Sequence, residues 1–224
     1  MKRLYGNGVI EIIPVDDGFV FAVQQSAYDD KIVVAYKLYS FDTGACAPIK
    51  KSVYIGAKFG ADIDILKLEI QNYLQSFAVK LPKRQTLILG EAGNAFVVDE
   101  SGEKIKSALF LHNGEGATSA VLHHDAIWCG FSQNGVIVKY DIDTLKEDIR
   151  ISGGPKIDFG GVGSLTSADD SLLVCGGDAM KIYSINTNNF DVQEFLKFDE
   201  PVMSYTKING NELVLLPSGI YIML

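Results

Sequence analysis

One phrase is written four times along this chain of 224 residues. It is an alternating run of apolar and polar residues that stops at a short polar turn. The texts are "LYSFDTG", "FVVDESG", "VKYDIDTL" and "IYSINTNN", aligned on Thr43, Ser101, Thr144 and Thr187. The steps between those four positions are 58, 43 and 43 residues. Alternation with a period of two is what a half-buried strand requires, and the polar stop sends it into a hairpin.

A second apolar run precedes each phrase. These runs are "FVFAVQQS" from Phe19, "TLILGEAG" from Thr86, "AIWCGFSQNG" from Ala126 and "LLVCGGDAM" from Leu172, with a fifth copy, "LVLLPSG", from Leu213. Each follows a turn: Asp16-Asp17-Gly18, Pro82-Lys83-Arg84, His124-Asp125, Asp169-Asp170 and Asn209-Gly210-Asn211. Asn-Gly and Asp-Gly supply the positive φ of tight hairpins. Before each turn a further short strand is expected: Val9–Val15, Phe77–Lys80, Ser119–His123, Gly163–Thr166 and Met203–Lys207.

The unit is thus four antiparallel strands joined by short turns. Alone, such a sheet leaves both faces wet. Stacked radially, the sheets bury their faces on one another. A period near 43 residues, with the 15 extra residues of the first step set aside, makes about five units. The expectation is an all-β, five-bladed β-propeller, one domain over residues 1–224. The last copy ends after three strands at "GIYIML", and Lys2–Tyr5 is surplus ahead of the first. Lys2–Tyr5 is expected to pair with the last blade, closing the ring and hiding a strand edge.

Two stretches resemble a known repeat. "VKYDIDTLK" is similar to the "xxWDLxTGK" ending of a WD-repeat blade, with Tyr140 in the Trp place, Asp141 in the Asp place and Thr144 in the Thr place. "LLVCGGDAMKIYS" resembles the "LLASGGDDGTVRLWD" core of the same repeat. The pattern is divergent: Tyr39, Val97, Tyr140 and Tyr183 stand for the Trp, only Asp141 keeps the Asp, and the Gly-His pair before each blade is missing. The resemblance implies a divergent small propeller that acts as a binding platform.

The net charge is −8. Residues 1–80 balance nine Lys/Arg against nine Asp/Glu, so the whole excess lies in residues 81–224. An acidic surface repels phosphate backbones and anionic headgroups, which argues against nucleic acid and membrane partners. "MKRLYGNGVIEIIPV" opens like a signal peptide, but Gly6, Asn7 and Gly8 stand where an apolar stretch should begin, so none is expected. The three cysteines, Cys46, Cys129 and Cys175, are widely spaced and odd in number. That is neither a disulfide framework nor a zinc spacing, and it suits a reducing, cytoplasmic setting. No cofactor and no metal is expected. Cys129 and Cys175 read as equivalent small core positions of neighbouring blades, matched by Ala22 in the first.

Loops between second and third strands share one face of a propeller with the loops between blades. That face collects Asp29, Asp30, Glu115, Asp158 and Asp178, candidates for a polar or cationic ligand. A glycosidase would need two carboxyl groups roughly 5–9 Å apart, one protonated and one ionised. Asp29, Asp158 and Asp178 can be drawn that way, which makes a small hydrolase the alternative function. His123-His124-Asp125 ends a strand, so one histidine should pack and the other meet water. "SGGPKIDFGGVG" lacks the Gly-Lys-Ser/Thr ending of a phosphate loop and reads as an inter-blade loop. The extra residues of the first step fall in "AKFGADIDILKLEIQNYLQSF". On a helical wheel Ile63, Leu66, Ile70 and Tyr73 share an arc, which predicts a short helical or irregular insertion between the first two blades, around 57–72, and a docking surface for a protein partner.

Overall fold

Turn chemistry sets the strand order. The computed structural model describes residues 1–15, 18–28, 31–55, 76–90, 93–131, 135–152, 161–176 and 179–224. The predicted helical or irregular insertion around 57–72 lies outside the described residues. The chain begins with β1 (Lys2–Tyr5). The first full sheet is β2 (Val9–Val15), β3 (Gly18–Tyr28), β4 (Lys31–Ser40) and β5 (Cys46–Ile55). The second is β6 (Ser76–Leu81), β7 (Gln85–Gly90), β8 (Asn94–Val98) and β9 (Lys104–Leu109). A small hairpin, β10 (Leu111–His112) with β11 (Glu115–Gly116), leads to the third sheet. That sheet is β12 (Ser119–His123), β13 (Ala126–Gly130), β14 (Val136–Asp141) and β15 (Glu147–Ser152). The fourth is β16 (Val162–Ala168), β17 (Ser171–Gly176), β18 (Lys181–Asn186) and β19 (Val192–Lys197). The last is β20 (Ser204–Ile208), β21 (Asn211–Leu216) and β22 (Gly219–Ile222), with β1 outermost beside β22. The chain is a five-bladed β-propeller of four-stranded antiparallel blades.

The first turns of the second to fifth blades use left-handed backbone. His124 and Asp125 (φ 45° and 55°) and Asn209 and Gly210 (φ 50° and 80°) make two-residue turns between paired strands. Both central residues at positive φ match the right-handed twist of the flanking strands. Asn113 and Gly114 (φ 50° and 84°) do the same in the β10–β11 hairpin. Glu115, read from the sequence as a loop residue, is part of a hairpin, for which Asn-Gly is a signal.

The third turn of the second, third and fourth blades is an Asx-type turn. Asp141 Oδ1 accepts from the Thr144 N–H at 2.7 Å and the Asp143 N–H at 3.2 Å, and the Leu145 N–H donates to the Asp141 carbonyl at 2.9 Å. Asn186 takes the same place in the fourth blade, accepting from the Asn188 and Asn189 N–H groups at 2.9 and 3.2 Å. Asp99 takes it in the second. Gly44, Gly102, Leu145 and Phe190 then carry the positive φ. This geometry corrects the alignment of the fourth phrase: Thr187 is the residue after the cap, whereas Thr144 is the third after it. An Asx turn is set by its capping side chain, and the Ser/Thr on which the phrases were aligned moves within it.

Alternate residues of each strand feed opposite neighbours. In β13, Ile127 and Cys129 pack toward the second blade with Leu87, Leu89, Val97 and Phe131, and Trp128 packs toward the fourth with Val162, Leu172 and Val174. Phe110 and Tyr140 stack in the former junction with centroids 3.8 Å apart and planes 9° off parallel. Leu173, Cys175, Phe198, Tyr205 and Val214 fill the junction of the fourth and fifth blades. Phe19, Phe21, Leu213 and Leu215 fill that of the fifth and first. Two-sided burial is why β13 is buried throughout and the second-strand texts read as unbroken apolar runs.

The cysteines correct a second sequence reading. Counted from the first turn, Cys129 corresponds to Val174, and Cys175 corresponds to Gly130. Cys129 therefore faces the second blade and Cys175 the fifth. A shift of one residue along a strand reverses the face. Burial pushes the Cys129 thiol well up, and the Cys175 thiol up to about 11, so both behave as small core side chains.

Candidate functional site

The strand order divides the described connections between two faces. The loop face carries the second-to-third-strand turns and the links between blades. The turn face carries the remaining turns. Of the ligand candidates on the loop face, Glu115 is described, half-buried on β11 and paired in register with His112. Asp29, Asp30, Asp158 and Asp178 lie outside the described residues, as do Ile63, Leu66, Ile70 and Tyr73 of the proposed docking surface.

From His112, the register partner of Glu115 on the loop face, a linked set of side chains runs along β15 toward its turn-face end. Arg150 Nη1 donates to His112 Nδ1 at 2.6 Å. Its Nε and Nη2 donate to the two carboxylate oxygens of Glu147 at 2.9 and 2.6 Å. A bidentate fork is the strongest form of such a pair. Arg150 holds the Glu147 carboxyl below its ordinary range, against some burial, and Glu147 raises the guanidinium in return. The His112 ring meets Phe131 edge-on at 5.8 Å. This set ties the β10–β11 hairpin to β15, and so the second blade's exit to the third blade's rim.

A second set closes the fifth blade. Arg3 on β1 donates to the carbonyls of Ser218 and Tyr5 at 2.5 and 3.2 Å. The Ser218 N–H donates to Glu200 at 3.1 Å and its hydroxyl donates to the same carboxylate. A Cβ on Gly219 would lie 2.2 Å from the Tyr5 carbonyl oxygen, so only glycine fits where β1 crosses this turn. Met180 and Met203 are exposed nearby, beside the backbone bonds of Phe198 to Met180 and of Val202 to Ala179.

The turn face holds the other two histidines, His123 and His124. His123 is buried and His124 exposed, the split expected of neighbours at a strand end. Nδ1 of His123 lies 2.7 Å from Ser167 Oγ, and Nε2 lies 3.1 Å from Thr187 Oγ1. Burial, then the neighbouring His124, holds its pKa below the ordinary value, and Asp170 pulls the other way. Sequence reading found His123 but neither partner, because nothing in a strand text marks which hydroxyl of the next blade it will meet. The same holds for Arg150 with His112.

Among the described residues no group of three or more His, Cys, Asp and Glu is placed to hold a metal ion. The described carboxylates with displaced pKa values, Asp99, Asp141, Glu147 and Glu194, are all displaced downward by hydrogen bonds. A general acid requires the opposite displacement.

With this geometry, the chain's likeness to solved structures is one of fold. It is similar to Sqt1 of Saccharomyces cerevisiae, at TM-score 0.56 and 10% identity over 96% of this chain and 70% of that one. It is similar to U3-55K, at 0.53 and 8% over 95% and 60%. It is also similar to a chain of a nidogen/laminin complex, at 0.53 and 10% over 94% and 73%. No family model matches the chain, and no curated protein sequence does. The resemblance to WD-repeat propellers read from the sequence holds for the architecture. Identity this low carries fold and leaves function to the site.

Proposed function

We propose that the chain is a non-catalytic, cytoplasmic propeller that binds a protein partner through its loop face. The observation that supports this reading is how that face is built. Among its described residues Arg150 holds His112 of the β10–β11 hairpin, Ser218 holds Glu200, and Arg3 holds the Ser218 carbonyl, over blades packed by buried side chains. Groups tied to one another in this way form a rigid platform, and rigid scaffolds present their binding residues on such loops. One of the similar folds was itself solved within a complex of two proteins, nidogen and laminin. A small polar ligand at the acidic loops is the second form of the binding reading. The glycosidase-like alternative has no supporting observation: Asp29, Asp158 and Asp178 lie outside the described residues.

The test is capture from a cytosolic fraction with three baits. These are the full chain, the chain with Asp29, Asp30, Glu115, Asp158 and Asp178 changed to Lys, and the chain lacking residues 57–72. A stoichiometric partner held by the full chain and lost from one variant supports the reading and locates the surface. A partner equally held by all three places binding elsewhere. With no partner for any folded bait the protein-binding reading fails, and a metabolite and glycan binding screen takes its place.

A further inference from the structure

We propose that the junction of the third and fourth blades is an acid-sensitive latch, in which protonation of His123 loosens the turn face. The argument is a proton count. Thr187 Oγ1 lies 3.1 Å from the Asp170 carbonyl, an acceptor only. A hydroxyl has one proton, so Thr187 donates to Asp170 and must accept from His123 Nε2–H. Nδ1 of His123 is then the acceptor for the Ser167 hydroxyl. The neutral imidazole satisfies all its neighbours. The imidazolium donates at Nδ1 as well, so the exposed Ser167 hydroxyl must become the acceptor and turn its proton to solvent, and a cation is left in a side chain only 2% exposed. Burying such a charge is costly unless it is paired.

The charged groups around the ring come from two turns. His124, on its own turn, has its ring centroid 4.1 Å away, and a charge there opposes a second one on His123. Asp170, on the β16–β17 turn, favours the cation but is also 3.6 Å from His124 Nε2. Asp125 and Asp169 belong to the same two turns. From β16 and the β18–β19 turn come the neutral Ser167, Thr187 and Asn188. The displacement is downward, so the latch contributes its stability above the unfolded histidine value of about 6.5 and loses it as the pH falls below that value through the folded one. The loss is local, because His123 is the side chain that joins the end of β12 to both β16 and the β18–β19 turn.

The test is an NMR titration of the His123 ring in the full chain from about pH 7.5 to about pH 5, with amide exchange followed in parallel. The reporter is the Thr187 N–H, which donates to the Asp170 carbonyl at 3.0 Å. His123 should protonate below about 6.5, and opening at Thr187 should rise by up to about tenfold per unit fall in pH between the two pKa values. The amides of β21 should show no such rise. The variant His123→Gln offers one donor and one acceptor without titrating, and its Thr187 opening should be flat with pH. Protonation at or above the ordinary value overturns the proposal. So does a rise at Thr187 that persists in His123→Gln or equals that in β21. If the variant does not fold, the wild-type titration and exchange decide.

Discussion

Gly130 and Val162 meet across the junction of the third and fourth blades with no room for a side chain between them. A Cβ at position 130 would lie 2.2 Å from Val162 Cγ1 and 2.7 Å from its Cβ. The same strand position is Cys175 in the fourth blade and Leu215 in the fifth, counted from the first turn. Glycine is thus required by one neighbour. Gly130→Ala should destabilise the fold by about 1–3 kcal/mol, the usual effect of overpacking. Val162→Ala removes the closer atom but leaves the Cβ, so the double variant should recover part of the loss. A denaturant-melt double-mutant cycle measures this, and full additivity would contradict the contact.

The turn cap at position 141 works through an acceptor oxygen, and Asn186 fills the same role in the next blade. Asp141→Asn should therefore be tolerated, whereas Asp141→Ala should lower the melting temperature. The Asp141 pKa is depressed chiefly by its hydrogen bond from the Thr144 side chain. A depressed carboxylate contributes stability above its unfolded value of about 3.9 and loses it as the pH falls through the folded value. Melts on the acid side should show that loss in the wild type and its absence in Asp141→Asn.

Phe190 and Leu145 hold the same left-handed turn position, at φ 62° and 56°, where Gly44 and Gly102 stand in other blades. Left-handed backbone costs a side-chain-bearing residue about 1–2 kcal/mol. Phe190 is exposed, so Phe190→Gly should be neutral or stabilising by up to about 1 kcal/mol. Leu145 is buried among the residues of the second and third blades, so Leu145→Gly should destabilise by about 2 kcal/mol or more despite the same relief. Urea midpoints of opposite sign are the expected readout.

Tyr5 on β1 packs on Phe21 with ring centroids 4.6 Å apart, and Lys37 Nζ donates to its hydroxyl at 2.5 Å. Removing residues 1–8 strips these contacts and bares the edge of β22. The truncated chain should melt on the order of 10 °C lower, several kcal/mol for a protein of this size. Unchanged melting would show that β1 is dispensable to the ring.

Much of the architecture was legible because its signals are short-range. Strands Lys2–Tyr5, Val9–Val15 and Ser119–His123 carry the bounds read from the sequence, and the others differ by a residue or a few at their ends. Where the reading slipped, it slipped in phase. Cys129 and Cys175 share a local text, "CG", but the first turn of each blade sets the strand's register, and counting from it separates them by one position. Thr187 was aligned with Thr144 on residue type, while the turn is organised by Asp141 and Asn186. Of the candidate site, Glu115 alone falls among the described residues, in a hairpin that the sequence reading had as a loop between blades.

The sequence by itself determined the blade: its period, its turns and the two-sided burial written as unbroken apolar runs. Each depends on residues a few positions apart, where pleat and φ preference act directly. Tertiary structure alone decided that Gly130 faces Val162, that His123 finds Ser167 and Thr187, and that Arg3 reaches Ser218 at the other end of the chain. Those pairings form when neighbouring blades stack, and many side chains satisfy the strand pattern equally well. Packing and hydrogen-bond geometry between blades choose among them.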